Sequence, residues 1–499
     1  MMKMMPTRNS LLDNGIPLFA AVIVYSCLIF AQKLFNDGDT FWHIAAGQWI
    51  LDHGSAPRAD PFSYSFAGAP WTAHEWLSEV LMALAYRAAG WNGVLLLAGF
   101  AAAATAGLLA IHLGRYLRPL PRSLVLYFGL ICCAGSLLAR PHLLALPALE
   151  LWTAGLLVAA EERRAPSYWL LPVMTVWANL HGSFVLGLAL TAPFAADALA
   201  RSEAGDRIRL ARRWALFAGG AVGAALLTPR GVHGLIFPFQ LMAMKSLAGI
   251  GEWRSTDFST NPPLEISLLL ALFHLFSRGI RISPVRAIVL IGLLYLALHH
   301  ARNQIILGIV APLVLAEPLA RAADAGNRAS ERMKAIGQRS AGLLTAVFVV
   351  AACVTVIQLN RPLGPADTRA FPSTALSHVP QELVAAPVLN AYDFGGALIF
   401  EGIKPFIDGR TDLYGDDFVQ DYFAISGGDP AKLETALQRY RVQWTIFETN
   451  SIVAKMLDNM PGWRRLYSDG IAVIHVRNAQ PRGAPFDFVA EKTPPISTN

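Results

Sequence analysis

Two short polar stretches early in the sequence contain residue types that can perform acid–base chemistry. Asp37 and Asp39 stand one residue apart, His43 follows about one helical turn later, and His74 and Glu75 form a second pair. A carboxylate can accept the proton of a hydroxyl group or bind a divalent cation, and histidine exchanges protons near neutral pH. The alternative interpretation is structural: Asp39 caps one helix and Glu75 begins another.

Cationic side chains further along the chain are of the type that binds phosphate oxygens. Arginine is favoured for this role because its planar guanidinium matches two oxygens at once. Two of them also have a structural interpretation: Arg140 could extend to lipid headgroups, and His181 at the end of a span could form a hydrogen bond with a neighbouring helix. The candidate substrate- or phosphate-binding residues, besides His74 and Glu75, are Arg140, His181, Arg230, His300 and Arg302.

The composition indicates which elements must position these residues. Hydrophobic residues make up 54% of the 499 residues and charged residues only 15%, whereas an ordinary soluble domain has about 25% charged residues. This excludes a disordered chain and argues against a cytosolic enzyme, leaving an α-helical polytopic membrane protein. The net charge of +6 does not indicate a nucleic-acid partner, because membrane proteins concentrate Lys and Arg in their cytoplasmic loops.

About eleven apolar segments approach the roughly 17 to 25 residues that a spanning helix needs. With the N-terminus in the cytoplasm, the cytoplasmic loops carry 20 basic residues, whereas the opposite loops carry eight up to the last span. The positive-inside rule favours this orientation, which places residues 361–499 outside. The predicted spans are 15–33, 91–113, 122–139, 143–160, 167–180, 183–199, 213–228, 264–279, 285–299, 304–320 and 341–359.

Two amphipathic segments in the first outer loop, residues 34–90, are not predicted to cross the membrane. Residues 40–53 and 75–90 each place large apolar side chains at helical spacing, with polar residues between them. Such patterns are typical of helices that lie in the membrane interface. The alternative is that 75–90 is a short span or packs inside the bundle, but a span here would reverse every later segment and spoil the charge asymmetry.

This topology places all the candidate residues on one face of the membrane. Ionisable residues at membrane depth are costly and usually line a site or a pathway. The orientation follows from charge and segment length alone, so the concentration of histidines, carboxylates and arginines in the outer loops is a separate observation. It indicates a reaction site at the outer face.

The layout resembles the GT-C superfamily of membrane glycosyltransferases, which use polyprenyl-phosphate sugars at the extracytoplasmic face. The segment DTFWHIAAGQWIL, which begins at Asp39, looks like the first juxtamembrane helix behind a catalytic aspartate, and PWTAHEWL, which begins at Pro70, looks like the start of the second. The layout is similar to that of the aminoarabinose and protein O-mannosyl transferases. Those groups usually have Glu after the aspartate, whereas Thr40 stands here.

The resemblance implies a GT-C-like domain over residues 1–360 of a bacterial inner-membrane protein. It implies transfer of a hexosyl or pentosyl group from polyprenyl phosphate to an acceptor hydroxyl of a lipid, a glycan or a protein, with inversion. Asp39 is then the catalytic base or, with Asp37, holds the acceptor through a divalent cation such as Mg²⁺ or Mn²⁺. His43 is the third candidate catalytic residue.

The predicted outer domain, residues 361–499, alternates β-rich and helical runs. Strands are predicted at 387–390, 397–400, 405–408, 442–447 and 471–476, and a helix at 431–440. This pattern indicates a small α/β domain. Residues 408–417 are rich in aspartate and predict a solvated acidic loop; the alternative is a lid in which Arg410 or Tyr414 touches the substrate.

Two other function classes compete with a transferase. A transporter or flippase also places ionisable residues in its bundle, but usually at the midplane and often with internal repeats, and this sequence shows no repeat. A non-catalytic scaffold that displays the outer domain gives no reason for the polar residues of the outer loops.

Overall fold

The computed structural model describes residues 10–259, 261–325, 340–361, 363 and 367–478. Lys3, Arg8, the basic residues of 328–339 and the end of the predicted outer domain from 479 onward lie outside these ranges. Helices dominate the first three-quarters of the described chain. They are α1 (Ser10–Ile29), α2 (Asp39–His53), α3 (Trp76–Leu113), α4 (Pro119–Ala134), α5 (Pro141–Glu161), α6 (Leu170–Leu180), α7 (Phe184–Arg201), α8 (Arg207–Ala225), α9 (Val232–Met242), α10 (Pro262–Ser277), α11 (Pro284–His299), α12 (Gln304–Ala325) and α13 (Ser340–Leu359).

Each predicted span coincides with one of these helices, and α9 is an additional short helix in a predicted outer loop. Among the described residues, four helical segments are both long and apolar enough to cross a membrane, and seven shorter apolar helices accompany them. The four segments are Trp76–Leu113, Pro141–Glu161, Phe184–Arg201 and Ala301–Ala323.

The two segments predicted to lie in the membrane interface are both helical, and they touch each other directly. The second is the first part of α3, which is interrupted at Ala89 and Gly90; Gly90 has a φ of +57°, a conformation that glycine adopts without strain. A Cβ atom added to Gly47 of α2 would lie 1.9 Å from the carbonyl oxygen of Glu79. Glycine at position 47 therefore lets the two helix backbones come together.

Helix α2 is buried on two sides rather than along one stripe. Phe41 and Ile44 belong to the core of the helical bundle, whereas Trp42 and Ala46 belong to the core of the C-terminal domain. Even the intervening polar residue His43 is buried. The amphipathic pattern of 40–53 thus correctly predicted a helix, but the polar residue His43 in its first half is enclosed, whereas Asp52 and His53 at its end are exposed.

The C-terminal domain, described over residues 367–478, contains a four-stranded sheet flanked by short helices. The strand order is β1-β2-β4-β3, with β1 parallel to β2 and the other neighbours antiparallel. The elements are α14 (Ser373–Ser377), α15 (Gln381–Val384), β1 (Val388–Asn390), α16 (Gly395–Phe400), α17 (Thr411–Ser426), α18 (Pro430–Arg439), β2 (Trp444–Glu448), α19 (Ile452–Asp458), β3 (Trp463–Ser468) and β4 (Ala472–Arg477). The small α/β architecture predicted from the sequence is confirmed.

Two of the predicted strands are wrong. Residues 397–400 lie in α16, whose first residues pack so tightly that a Cβ atom on Gly396 would lie 1.8 Å from the carbonyl oxygen of Gly38. Residues 405–408 form no strand, because the side chain of Asn390 takes the place of a neighbouring strand. Its Oδ1 accepts a hydrogen bond from the backbone N–H of Phe406 at 2.8 Å, and its Nδ2 donates to the carbonyl of Ile407 at 2.8 Å.

The segment 408–417 is also not a solvated loop. Arg410 is 1% exposed; its guanidinium pairs with Asp408 at 2.7 Å and with Asp60 of the loop between α2 and α3 at 2.5 Å. The Tyr414 hydroxyl donates to Asp408 at 2.6 Å, and α17 begins at Thr411. Arg410 and Tyr414 are therefore buried and bond to Asp408, instead of having the open position that the lid alternative requires.

Candidate active site

Arg140 is at the centre of the first group of charged residues. It precedes Pro141, which begins α5 with the fixed φ of proline. Its guanidinium donates through Nε and Nη2 to both carboxylate oxygens of Asp37, and Nη2 lies 3.1 Å from Oδ2 of Asp39. Nη1 donates to Glu252 at 2.8 Å. Three carboxylates therefore surround one cation whose side chain is only 17% exposed.

Glu252 connects this group to a second cation. Its Oε1 accepts a hydrogen bond from Nη1 of Arg302 at 3.0 Å. The Arg302 guanidinium lies 4.4 Å from the centre of the Trp253 ring, and the carbonyl of Trp253 accepts a hydrogen bond from Nδ1 of His300 at 2.6 Å. His300 thus holds Trp253 in place, and the Arg302 guanidinium lies on the Trp253 ring and pairs with Glu252.

The carboxyl group of Asp39 is the group of this cluster whose environment suits a general base. Its Oδ1 accepts a hydrogen bond from the indole Nε1 of Trp42 at 3.0 Å. Burial raises the pKa of Asp39 to about 7, the charges of Asp37 and Glu252 act in the same direction, and Arg140 opposes them. A base whose pKa lies near the working pH is deprotonated in a large fraction of molecules and still binds a proton well.

Glu75 is at the centre of a second group, formed with three histidines. Its carboxylate lies 3.7 Å from Nε2 of His43, 3.5 Å from Nε2 of His74 and 3.4 Å from Nε2 of His181. The backbone N–H of Ser183 donates to Nδ1 of His181 at 3.1 Å, so the His181 proton is on Nε2, directed at Glu75. His43 also contacts Glu79 through Nδ1, at 3.3 Å.

The three histidines differ in how their surroundings shift their pKa values. Burial lowers the pKa values of His43 and His181 to about 3, which keeps both rings neutral. Burial opposes the charge of His74 as well, but the adjacent Glu75 carboxylate outweighs it and raises the pKa of His74. Burial acts to raise the pKa of Glu75, but the neighbouring His181, His74 and His43 outweigh it and hold that pKa below its usual range.

The remaining predicted cation, Arg230, lies at the edge of this second group. It lines a small pocket together with His74 and Phe237, whose rings are 4.3 Å apart. The pocket is bordered by the start of α9, which exposes large apolar side chains such as Ile236 and Phe239. Arg230 is therefore a partly exposed cation beside an apolar helix surface.

The two predicted metal ligands, Asp37 and Asp39, both face the guanidinium of Arg140. Within the described ranges, no three His, Cys, Asp or Glu side chains are arranged to hold a metal ion. A divalent cation between these two carboxylates would have to displace Arg140, so the donor set as it stands fits an arginine better than a metal.

The C-terminal domain covers the carboxylates of the first group. A Cβ atom on Gly38 would lie 2.3 Å from the carbonyl oxygen of Asp393, and one on Gly409 would lie 1.7 Å from Oδ1 of Asp39. Asp412, at the start of α17, is close enough to raise the pKa of His74 by its charge. Glycines at 38 and 409 therefore allow two chain segments to meet at Asp39 without an intervening side chain.

Sequence reasoning found most of this site but not all of it. The structure joins Asp37, Asp39, Arg140 and Arg302 in one group and His43, His74, Glu75 and His181 in the other, with Arg230 and His300 at the periphery. The additional residues are Glu79, Glu252 and Asp412. Glu252 had a sequence signal, its place in a predicted outer loop beside Trp253, and Asp412 lies in the acidic segment 408–417, which was predicted to be a solvated loop.

A comparison with solved structures finds the same architecture elsewhere. The chain is similar to ArnT from Cupriavidus metallidurans in a crystal structure bound to undecaprenyl phosphate, with a TM-score of 0.51 and 14% identity, over 94% of this chain and 98% of that chain. The two chains share a fold. The resemblance predicted from the sequence, which covered residues 1–360, is thus confirmed for the fold, and the match also extends over most of the C-terminal domain. No family model and no curated protein matches the chain.

The fold accounts for the position of the charged groups. The loop between α1 and α2 carries Asp37 and Asp39 at the start of α2, and the segments before α5 and between α9 and α10 bring Arg140 and Glu252 to it. The three segments are far apart in sequence, so their contact depends on the arrangement of the whole bundle.

Proposed function

We propose that this protein is a membrane glycosyltransferase that moves a sugar from a polyprenyl-phosphate carrier to an acceptor hydroxyl. The main support is the Asp39 carboxyl group at the start of α2 in a GT-C fold. Its pKa is about 7, and it contacts Trp42 on one side and Arg140 on the other. The similarity to ArnT, which was crystallised with undecaprenyl phosphate, supports the class of carrier.

In the proposed reaction, Asp39 accepts the proton of the acceptor hydroxyl while the hydroxyl oxygen attacks the anomeric carbon. The bond from that carbon to the carrier phosphate breaks in the same step, so the configuration inverts and the phosphate leaves with the electron pair. The negative charge on the leaving phosphate needs a cation. Arg302 fits this role because its side chain is 29% exposed and, although its guanidinium lies on the Trp253 ring, its one ion pair among the described residues is with Glu252.

We place the site at the extracytoplasmic face of a bacterial inner membrane, with the N-terminus in the cytoplasm. The asymmetric distribution of Lys and Arg between the loops supports this orientation. The C-terminal domain, which contacts Asp39 through Gly409, then lies on the same outer side. A divalent cation remains a proposal and is not needed for the step above.

Binding of the carrier is the first prediction. Native mass spectrometry of the purified protein should show specific retention of undecaprenyl phosphate. Arg302→Ala should weaken this retention about tenfold or more, because a hydrogen bond to a charged group contributes roughly 1.5–3 kcal/mol. Asp39→Asn should leave retention unchanged, since Asp39 acts on the acceptor.

The matched control is Arg254→Ala, which removes an exposed arginine from the same loop region as Glu252. It should not change retention. If the wild-type protein retains undecaprenyl phosphate no better than bulk phospholipid, the carrier assignment is wrong and a transporter or scaffold becomes the better interpretation.

The pH dependence of transfer is the second prediction. Since the base must be deprotonated, the rate should rise with pH and level off above the pKa of Asp39, near 7. The charge of Glu252 raises this pKa, and Glu252 also accepts a hydrogen bond from Nη1 of Arg140. Glu252→Gln should therefore lower the pKa of Asp39 and move the rising limb to lower pH.

The measurement is the initial rate of transfer across the neutral pH range for wild type, Glu252→Gln and the exposed-site control Glu203→Gln. A shift of the rising limb to higher pH in Glu252→Gln, or an equal shift in the control, would contradict the assignment of Asp39 as the titrating base.

A further inference from the structure

A cavity of about 290 Å³ lies between the C-terminal domain and the segment that carries Glu252. Its size is close to the lower limit of about 300–1,000 Å³ for small-molecule sites. Gly249, Ile250 and Gly251 form one wall. The opposite wall comes from the ends of β1 and β2, from α17 and from α19, and includes Tyr392, Asp393, Phe423 and Glu448.

Each wall of the cavity adjoins a residue of the candidate active site or of the loop that carries it. Gly251 is followed by Glu252, which pairs with Arg140 and Arg302. On the other side, the carbonyl of Asp393 lies against Gly38, the residue between Asp37 and Asp39. A molecule bound in the cavity therefore adjoins the loop that carries the proposed base.

The lining has the chemistry of a carbohydrate site. Two partly exposed aromatic side chains, Tyr392 and Phe423, offer apolar ring surface, on which the C–H groups of a pyranose can pack. Two carboxylates stand among them: Asp393 is exposed and Glu448 is half-buried. Neither makes a hydrogen bond or an ion pair with another described residue, so both are available to accept from hydroxyl groups.

The charge of the lining also limits what can bind. None of the described side chains that line the cavity is basic, and the two carboxylates give it a negative charge. An anionic ligand such as a phosphate would be repelled here, whereas Arg302 and Arg230 lie outside this lining. The carrier phosphate and the ligand of the cavity must therefore occupy different places.

We propose that this cavity binds the acceptor as an uncharged, hydroxyl-rich sugar, with Asp393 and Glu448 accepting hydrogen bonds from its hydroxyls. This inference rests on the proposed function, because it assigns the cavity to the acceptor of the transfer. It selects a glycan among the acceptor classes. Asp393 and Glu448 are then binding residues that determine acceptor specificity.

The test uses saturation-transfer NMR on the full-length protein in detergent. The probes are methyl β-D-glucopyranoside, methyl β-D-galactopyranoside and methyl α-D-mannopyranoside. At least one should receive saturation from the protein, and Asp393→Asn and Glu448→Gln should each weaken its binding about tenfold, as expected for a lost charge-assisted hydrogen bond. Both substitutions keep the side-chain shape, so folding should be preserved, and a thermal melt of each variant checks this.

The matched control is Glu382→Gln, an exposed carboxylate of the same domain that does not line the cavity. It should bind the glycoside as the wild type does. Retention of undecaprenyl phosphate is measured on the same samples by native mass spectrometry and should be unchanged in all three variants.

The two measurements separate the possible failures. If undecaprenyl phosphate is retained but no glycoside binds, or the glycoside binds equally to the cavity variants and the control, the acceptor cavity is wrong and the proposed function stands. If a glycoside binds but undecaprenyl phosphate is not retained, the proposed function falls, and the acceptor role of the cavity falls with it. Saturation transfer to a threonine-rich peptide, but to no glycoside, would assign the cavity to a polypeptide instead.

Discussion

Asp39→Asn should reduce the rate of sugar transfer about 10²- to 10⁴-fold, the range that a positioned general base contributes. The asparagine side chain has the same shape and can still accept a hydrogen bond from Nε1 of Trp42, the bond that Asp39 makes at 3.0 Å. It cannot take up the proton of the acceptor hydroxyl. The activity that remains should lose its dependence on pH near 7, because the titrating carboxyl group is gone.

The measurement is single-turnover transfer with saturating donor, which isolates the chemical step from binding. Asp52→Asn is the matched control: the same substitution near the other end of α2, where the exposed Asp52 pairs with Arg87. It should keep nearly full activity. Full transfer by a folded Asp39→Asn protein would remove Asp39 as the base and leave the cluster around Arg140 with a structural role.

The parts of the site that could be predicted are those that membrane topology determines. Asp37, Arg140, His181 and Arg302 follow or precede predicted spans, and the charge asymmetry of the loops places them on one face. One end of a helical bundle is a small area, so topology alone brings residues in its loops near one another. It does not choose partners: nothing in the sequence shows that Asp37 pairs with Arg140.

The residues that escaped prediction lie where the C-terminal domain meets the bundle. The acidic segment 408–417 has the composition of a surface loop, and its burial depends on Asp60, more than 300 residues earlier in the chain. Residues 397–400 form a short apolar run, which periodicity cannot assign to a strand or a helix. Its helical form depends on the close approach of Gly396 to Gly38. Contacts of this kind depend on tertiary structure alone.

The largest effect on stability is expected for Arg410→Met. The guanidinium of Arg410 pairs with Asp408 and Asp60, and all three side chains are fully enclosed. Methionine fills similar space but leaves two buried carboxylates without their cation, and breaking a buried pair in this way costs about 3–5 kcal/mol. For a domain of this size, the melting temperature should fall by more than about 10 °C. The measurement is thermal unfolding of the purified protein, followed by near-UV circular dichroism.

Arg465→Met is the matched control, because Arg465 forms an exposed pair with Asp458, and such pairs contribute at most about 1 kcal/mol. Adding Asp60→Asn to Arg410→Met removes one of the two unpaired charges and should recover part of the lost stability. If Arg410→Met melts like the control, the buried network does not hold the domain in place.

The network also fixes Gly409 against Asp39, since residue 409 lies between Asp408 and Arg410. Arg410→Met should therefore reduce transfer even below its melting temperature, and the double variant should regain activity in step with its stability.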